Sequence, residues 1–131
     1  MTKVIIACGD SREISVDSQL HYSEDRLVVR PNEKYEFVVA SGSRWKDLFI
    51  WSSANGFINP LAWISGIRVK GVKCFCLCGT YGERDDKAFR IGTHSTRAFT
   101  EEGEICFFAN DAWNYYDNNE GIIQLRIIRI A

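Results

Sequence analysis

The chain is short of most features that announce a function. Only two prolines occur, Pro31 and Pro60, and no low-complexity stretch, linker or internal repeat is present, which excludes a repeat architecture and a hinged array. Its two histidines, His21 and His94, lie far apart. Neither sits in a spacing suited to zinc or to nucleophilic catalysis. No Ser-His-Asp order, phosphate-binding loop or dinucleotide fingerprint is found. No apolar run approaches the length of a membrane span. With a formal net charge of -1 and no dense Lys/Arg patch, nothing draws the chain toward nucleic acid or an anionic membrane. No segment carries a long amphipathic helical period. The opening Met1–Asp10 stretch has too short an apolar core for a classical signal peptide and reads as a first strand. The expected location is the cytoplasm, or outside the cell by export without a classical signal.

What is present describes an ordinary globular domain. At 131 residues, 46% hydrophobic and 25% charged, the chain is expected to form one domain with a real core. Runs of strand-forming residues alternate with Gly, Asn and Asp turns. They include Leu27–Arg30, Tyr35–Ala40, Leu48–Trp51, Val69–Cys78, Ala88–Ile91, Glu104–Ala109 and Ile122–Ile128. Short strands at this spacing predict an all-β fold: a single-domain β-sandwich of jelly-roll type. Trp51 lies in an apolar run and is expected in the core, whereas Trp45 and Trp63 suit core or rim. The Asp85-Asp86 pair beside Arg84 and Lys87 reads as a solvated turn.

Five cysteines, Cys8, Cys74, Cys76, Cys78 and Cys106, argue against a complete disulfide framework and are expected to be free. On a regular strand, Cys74, Cys76 and Cys78 would share one face, with Phe75 and Leu77 on the other. Their spacing does not match the usual zinc ligand pairs, and buried thiols are common core residues.

The segment from Asn110 to Gly121 is the richest in information. It packs three further Asn (Asn114, Asn118 and Asn119), Asp111, Asp117 and Glu120 between two strand-like runs. Hard cations such as Ca²⁺ prefer carboxylate, amide and backbone oxygens brought together by a curled loop. Asn, Asp and Gly also gather in ordinary turns. No EF-hand spacing is present, so a calcium site here would be of another kind.

Asn110-Asp111, Tyr116, Asn118-Asn119 and Gly121, followed by an alternating strand, resemble the calcium loop of LecA-like lectins, the small bacterial calcium-dependent galactose-binding proteins with a galactose-binding-like β-sandwich. Leu27–Gly42, Cys74–Gly82 and the run from Arg90 through Phe99, Gly103 and Phe107-Phe108 agree with that family in order. The resemblance covers about four fifths of the chain and is strongest in its last thirty or so residues. It implies a Ca²⁺ held by side-chain oxygens of Asp111, Asn118 and Asn119 and by the backbone carbonyl of Tyr115. A further backbone carbonyl is implied between Trp45 and Asp47, with the register placed at Lys46. The sugar contacts it implies are Asp111, Ala112, Trp113, Tyr115, Asn118 and Asn59. Asn59 stands, before Pro60, where the family has a histidine touching the sugar's primary hydroxyl. The family's nearby glutamine is replaced by Ala62 or Trp63, and Trp113 occupies a loop position that is usually smaller.

Three functions follow as expectations. The first is calcium-dependent binding of terminal galactose or a related sugar without chemistry, by a homo-oligomer that gains from multivalency. The second is a non-catalytic interaction or accessory module with structural or lost calcium. The third, a glycoside hydrolase, needs a convergent carboxylate pair that the sequence does not nominate.

Overall fold

The computed structural model describes residues 2–59 and 66–131. Two main sheets and one small sheet account for its strands. The five-stranded sheet runs β1 (Thr2–Val4), β3 (Asp25–Val29), β10 (Gly103–Ala109), β7 (Leu77–Tyr81) and β8 (Phe89–Arg90). The four-stranded sheet runs β2 (Ser11–Asp17), β12 (Ile122–Arg129), β4 (Lys34–Val39) and β9 (His94–Ala98). The small sheet joins β11 (Asn119–Glu120), β5 (Trp45–Asp47) and β6 (Ile50–Ser52). All pairings are antiparallel except β1 with β3. Among the described residues, two short 3-10 turns, Asp85–Lys87 and Trp113–Asn118, interrupt this all-β sandwich.

Alternation places the core. Tyr35, Phe37 and Val39 on β4 and Ile123, Leu125 and Ile127 on β12 point inward, while their neighbours face out. Leu27, Val29, Ile105 and Phe107 meet them from the other sheet. Phe37 and Phe107 pack edge to face with ring centroids 5.9 Å apart. Each such side chain contributes about 1.5–3 kcal/mol by leaving water.

The first strand lies in the sheet opposite the last strand. Three local expectations are corrected. Leu48–Trp51 is not one strand but a tight hairpin: Leu48 takes a positive φ of 56° and reverses the chain between β5 and β6. Trp51 therefore lies on an edge strand, 51% exposed, with Arg44 and Lys46 over its ring. Trp45 is the buried one, and its indole N–H donates to the Phe75 carbonyl at 3.0 Å. Val69–Cys78 does not form a continuous strand. Phe75 has φ 64°, which breaks the pleat: Cys74 makes only an isolated bridge to Phe57, and the strand proper begins at Leu77. All five side chains from Cys74 to Cys78 are buried as a result, instead of alternating between two environments. The cysteines are free, with Cys8 alone exposed.

Candidate functional site

The 110–121 loop leaves β10 at its end and returns along the small sheet. Asn110 anchors its start. This fully buried amide accepts from Val69 N–H at 2.9 Å and donates to the carbonyls of Val69, Val72 and Lys73. Its side-chain oxygen is thus committed to holding the preceding turn. Gly121 closes the loop with φ 100°. A Cβ there would stand 2.9 Å from Trp45 Cα, so its absence lets β11 lie against β5. That pairing sets Asn119 opposite Asp47 and Glu120 opposite Lys46.

The loop's middle is clamped by Arg68. Its backbone N–H donates to the Asp111 carbonyl at 3.2 Å. Its guanidinium, 2% exposed, grips Asp85 with two bonds of 3.0 Å and donates at 2.7 Å to the His21 carbonyl and to the Tyr116 hydroxyl. It stacks 3.7 Å from the Phe108 centroid and 5.0 Å from that of Trp113. Asp85 is therefore no solvated turn residue: it is held by Arg68 and by the Tyr22 hydroxyl, while Asp86 remains exposed beside Arg84. His21 is satisfied too, stacking on Trp113 at 4.0 Å with its Nε2 2.7 Å from the Trp113 carbonyl. Trp113 is pinned from the protein side and still 46% exposed.

Inside the loop, one carboxyl oxygen of Asp111 accepts from Ala112 N–H at 2.7 Å. The other, Oδ2, is buried with no hydrogen-bond partner. Asn119 shows the same division. Its Nδ2 donates to the Ser18 carbonyl at 2.9 Å, while Oδ1 is buried without a partner. Two orphaned buried oxygens in one loop are unusual, because an unmet buried acceptor costs about 1–3 kcal/mol. Next to them, oxygens of Asp47 and Asp111 and the Cys74 sulfur lie within 4.8 Å of one another. Burial pushes the Asp111 carboxyl up to about 6, with the Asp47 charge adding to it against the Ala112 hydrogen bond. Burial also raises Asp47. Burial, then the charges of Asp111 and Asp47, push the Cys74 thiol up to about 12. Concentrated, under-satisfied oxygen of this kind fits a hard divalent cation.

The other sequence-predicted residues take varied places. Asn118 is exposed and its backbone carbonyl accepts from Leu48 N–H at 3.2 Å. Tyr115 is exposed, and its N–H donates to the Ala112 carbonyl at 3.0 Å. Ala112 is buried and bridges to Ile67. Lys46 sits on β5 with its Nζ 5.5 Å from the Trp51 ring, and its neighbour Asp47 carries the carboxylate that joins the cluster. Asn59 lines a cavity of about 100 Å³ whose walls also include Cys74, Ile67, Phe57 and Val72. Pro60, Ala62 and Trp63 lie outside the described residues. Asp47 stands at the edge of the stretch where a carbonyl ligand is expected, and Cys74 in a tract expected as core. The only available signal was an acidic side chain at the edge of the expected carbonyl register. Cys74 offered none, because it meets Asp47 and Asp111 through the fold and not through spacing.

No protein-family model matches the sequence, and no curated protein does. Among solved structures, the chain is similar to one described as EclA N-terminal domain, a PllA-like lectin. The TM-score is 0.66 at 16% identity, over 89% of this chain and 94% of that one. The fold is therefore lectin-like.

Proposed function

We propose that the chain is a non-enzymatic, calcium-dependent lectin for terminal galactose or a related sugar. The observation that carries this reading is the pair of buried, unpartnered oxygens, Asp111 Oδ2 and Asn119 Oδ1, beside the Asp47 carboxylate. The lectin-like fold supports it. Asp111, Asn119 and Asp47 would hold the cation, with Asn118 and the carbonyls of Tyr115 and Lys46 as the further ligands proposed from the loop resemblance. Bound there, Ca²⁺ supplies coordination positions for two neighbouring sugar hydroxyls, which as neutral groups compete poorly with water on their own. Asp111 and Asn118 orient those hydroxyls by hydrogen bonds, and Ala112 and the Tyr115 backbone shape the loop around them. Trp113, held upright by His21 and Arg68, offers an apolar edge to the ring. Asn59, in the cavity that also contains Cys74, reaches for the primary hydroxyl. Affinity for a single sugar is expected at about 10⁻⁵ to 10⁻³ M, because few polar contacts survive the ordering cost.

A glycan array read with calcium and again with EDTA tests the proposal. Galactosides should bind only with calcium, and Trp113→Ala should change the profile. Silence toward every galactoside in calcium sinks it. In that case the second reading gains, a sandwich kept for protein assembly. The hairpin tip favours that reading, since Leu48, Phe49, Ile50 and Trp51 are consecutive and exposed, Phe49 by 84%.

A further inference from the structure

The Asp47–Cys74–Asp111 group contains one donor that calcium binding leaves unused. Calcium takes oxygen ligands, and a thiol sulfur adds little to such a shell. Yet Cys74 Sγ lies 4.0 Å from Asp47 Oδ2 and shares the 4.8 Å cluster with Asp111. A second observation is independent of that cluster. Asn119, fully buried, presents an Oδ1 with no partner, as Asp111 presents its Oδ2. Asn119 is also paired with Asp47 across β5–β11, which puts both side chains on the same face of the small sheet.

We propose that Asp47, Cys74, Asp111 and Asn119 form a site for a borderline divalent cation of the zinc class, with Cys74 as its thiolate ligand. The donor set is three oxygens and one sulfur, the number a tetrahedral ion requires. Zinc bonds of about 2.0–2.2 Å to oxygen and about 2.3 Å to sulfur place tetrahedral donors about 3.5 Å apart. The 4.0 Å sulfur–oxygen gap must close by about half an ångström. Asp47 is able to move, being half-buried at the end of β5 beside the exposed Leu48 turn. The other oxygen donors are already oriented from behind, Asp111 by Ala112 N–H and Asn119 by the Ser18 carbonyl. The cavity lined by Cys74 offers a way in.

The binding step involves no redox change. The ion forms a bond to Cys74 sulfur, the S–H bond breaks heterolytically, and the proton leaves to solvent. Thiolate strongly favours zinc over calcium, and the two ions share Asp111 and Asn119, so occupancy is exclusive. The inference shares these oxygens with the calcium reading but does not depend on sugar binding.

The test uses the full chain carrying Cys8→Ser, which removes the one exposed thiol and touches nothing in the site. After stripping with EDTA, this parent is titrated with Co²⁺ and then with Zn²⁺. The expected result is a near-ultraviolet thiolate-to-cobalt charge-transfer band, displaced by Zn²⁺ and competed by excess Ca²⁺. Adding Cys74→Ser should abolish the band and weaken Zn²⁺ by at least the roughly 10- to 100-fold that loss of an outer-shell partner already costs. Cys74→Ala provides a second variant should the serine disturb folding, and the parent's own spectrum depends on neither. No band in the parent overturns the proposal, as does a band or Zn²⁺ affinity that survives both Cys74 variants. Calcium-dependent glycan binding is measured on the parent alone, so its failure beside an intact cobalt band sinks the lectin reading and leaves this site standing.

Discussion

Asn119 and Asp47 are partners across the β5–β11 pair, so both side chains leave the same face of the small sheet, where Asp47 also meets Asp111 and Cys74. A cation held there, as proposed, would meet two carboxylates, Asp111 and Asp47, where the loop resemblance implies one. Charge count is a main control on cation affinity. Asp47→Asn should weaken Ca²⁺ by about tenfold or more. The same change should stabilise the metal-free protein, because it removes a charge that burial and Asp111 both disfavour. Calorimetry and urea denaturation in EDTA read the two effects. Weaker calcium together with lower metal-free stability would contradict the shared site.

Acidity should act on the metal-free protein through Asp111. Its carboxyl titrates at about 6 in the fold against 3.8 ordinarily, because burial disfavours the charge. Between those values the folded state binds more protons than the unfolded chain. Stability from this group is therefore complete below about pH 4 and is lost as pH rises through about 6. Urea melts in EDTA from pH 4 to 7 should show Asp111→Asn with a more positive slope of stability against pH than the parent. Identical slopes would refute the assignment.

Arg68 should be a large contributor to stability. Arg68→Ala leaves Asp85 without its two-pronged partner and removes the group stacked on Phe108 and Trp113. The expected loss is about 3 kcal/mol, at the low end for a buried pair because Asp85 is partly exposed. Arg68→Lys should recover little, since one ammonium cannot reproduce the fork. Denaturation midpoints check both, and a loss below ~1 kcal/mol would assign the clamp no structural weight.

Thiol reactivity should divide four to one. Cys8 is exposed, whereas Cys74, Cys76, Cys78 and Cys106 are buried. Burial holds Cys74 and Cys106 as thiols at neutral pH, at about 12 and about 11. A disulfide-exchange reagent should titrate one thiol in the native protein and five after unfolding without reductant. Fewer than five on unfolding would reveal a disulfide.

The sandwich was legible where apolar alternation was strong. Tyr35–Val39 and Ile122–Ile128 carry a period of two that only a half-buried strand satisfies. His94–Ala98 was not legible: as the outer strand beyond β4 it exposes most of both faces, so no alternation marks it. Trp51 was misplaced because an apolar run does not distinguish a core strand from a hairpin tip. At the site, local chemistry pointed to Asp111 and Asn119, which lie in one crowded loop. Asp47 and Cys74 reach it from 64 and 37 positions upstream of Asp111, and only strand pairing brings them there. Arg68, too, has no motif, since its partners His21, Asp85 and Tyr116 come from three separate segments.

The Arg68 clamp bears on how such a chain diversifies. Arg68, Asn110, His21 and Tyr116 hold the loop's outline from the protein side, using none of the free oxygens. In the proposed site the clamp residues would carry the loop's shape, while the free oxygens of Asp111 and Asn119 would carry the choice of cation. Donors on the inner side are free to be exchanged over generations while the outline is inherited unchanged, so new binding preferences can arise without the scaffold being reinvented.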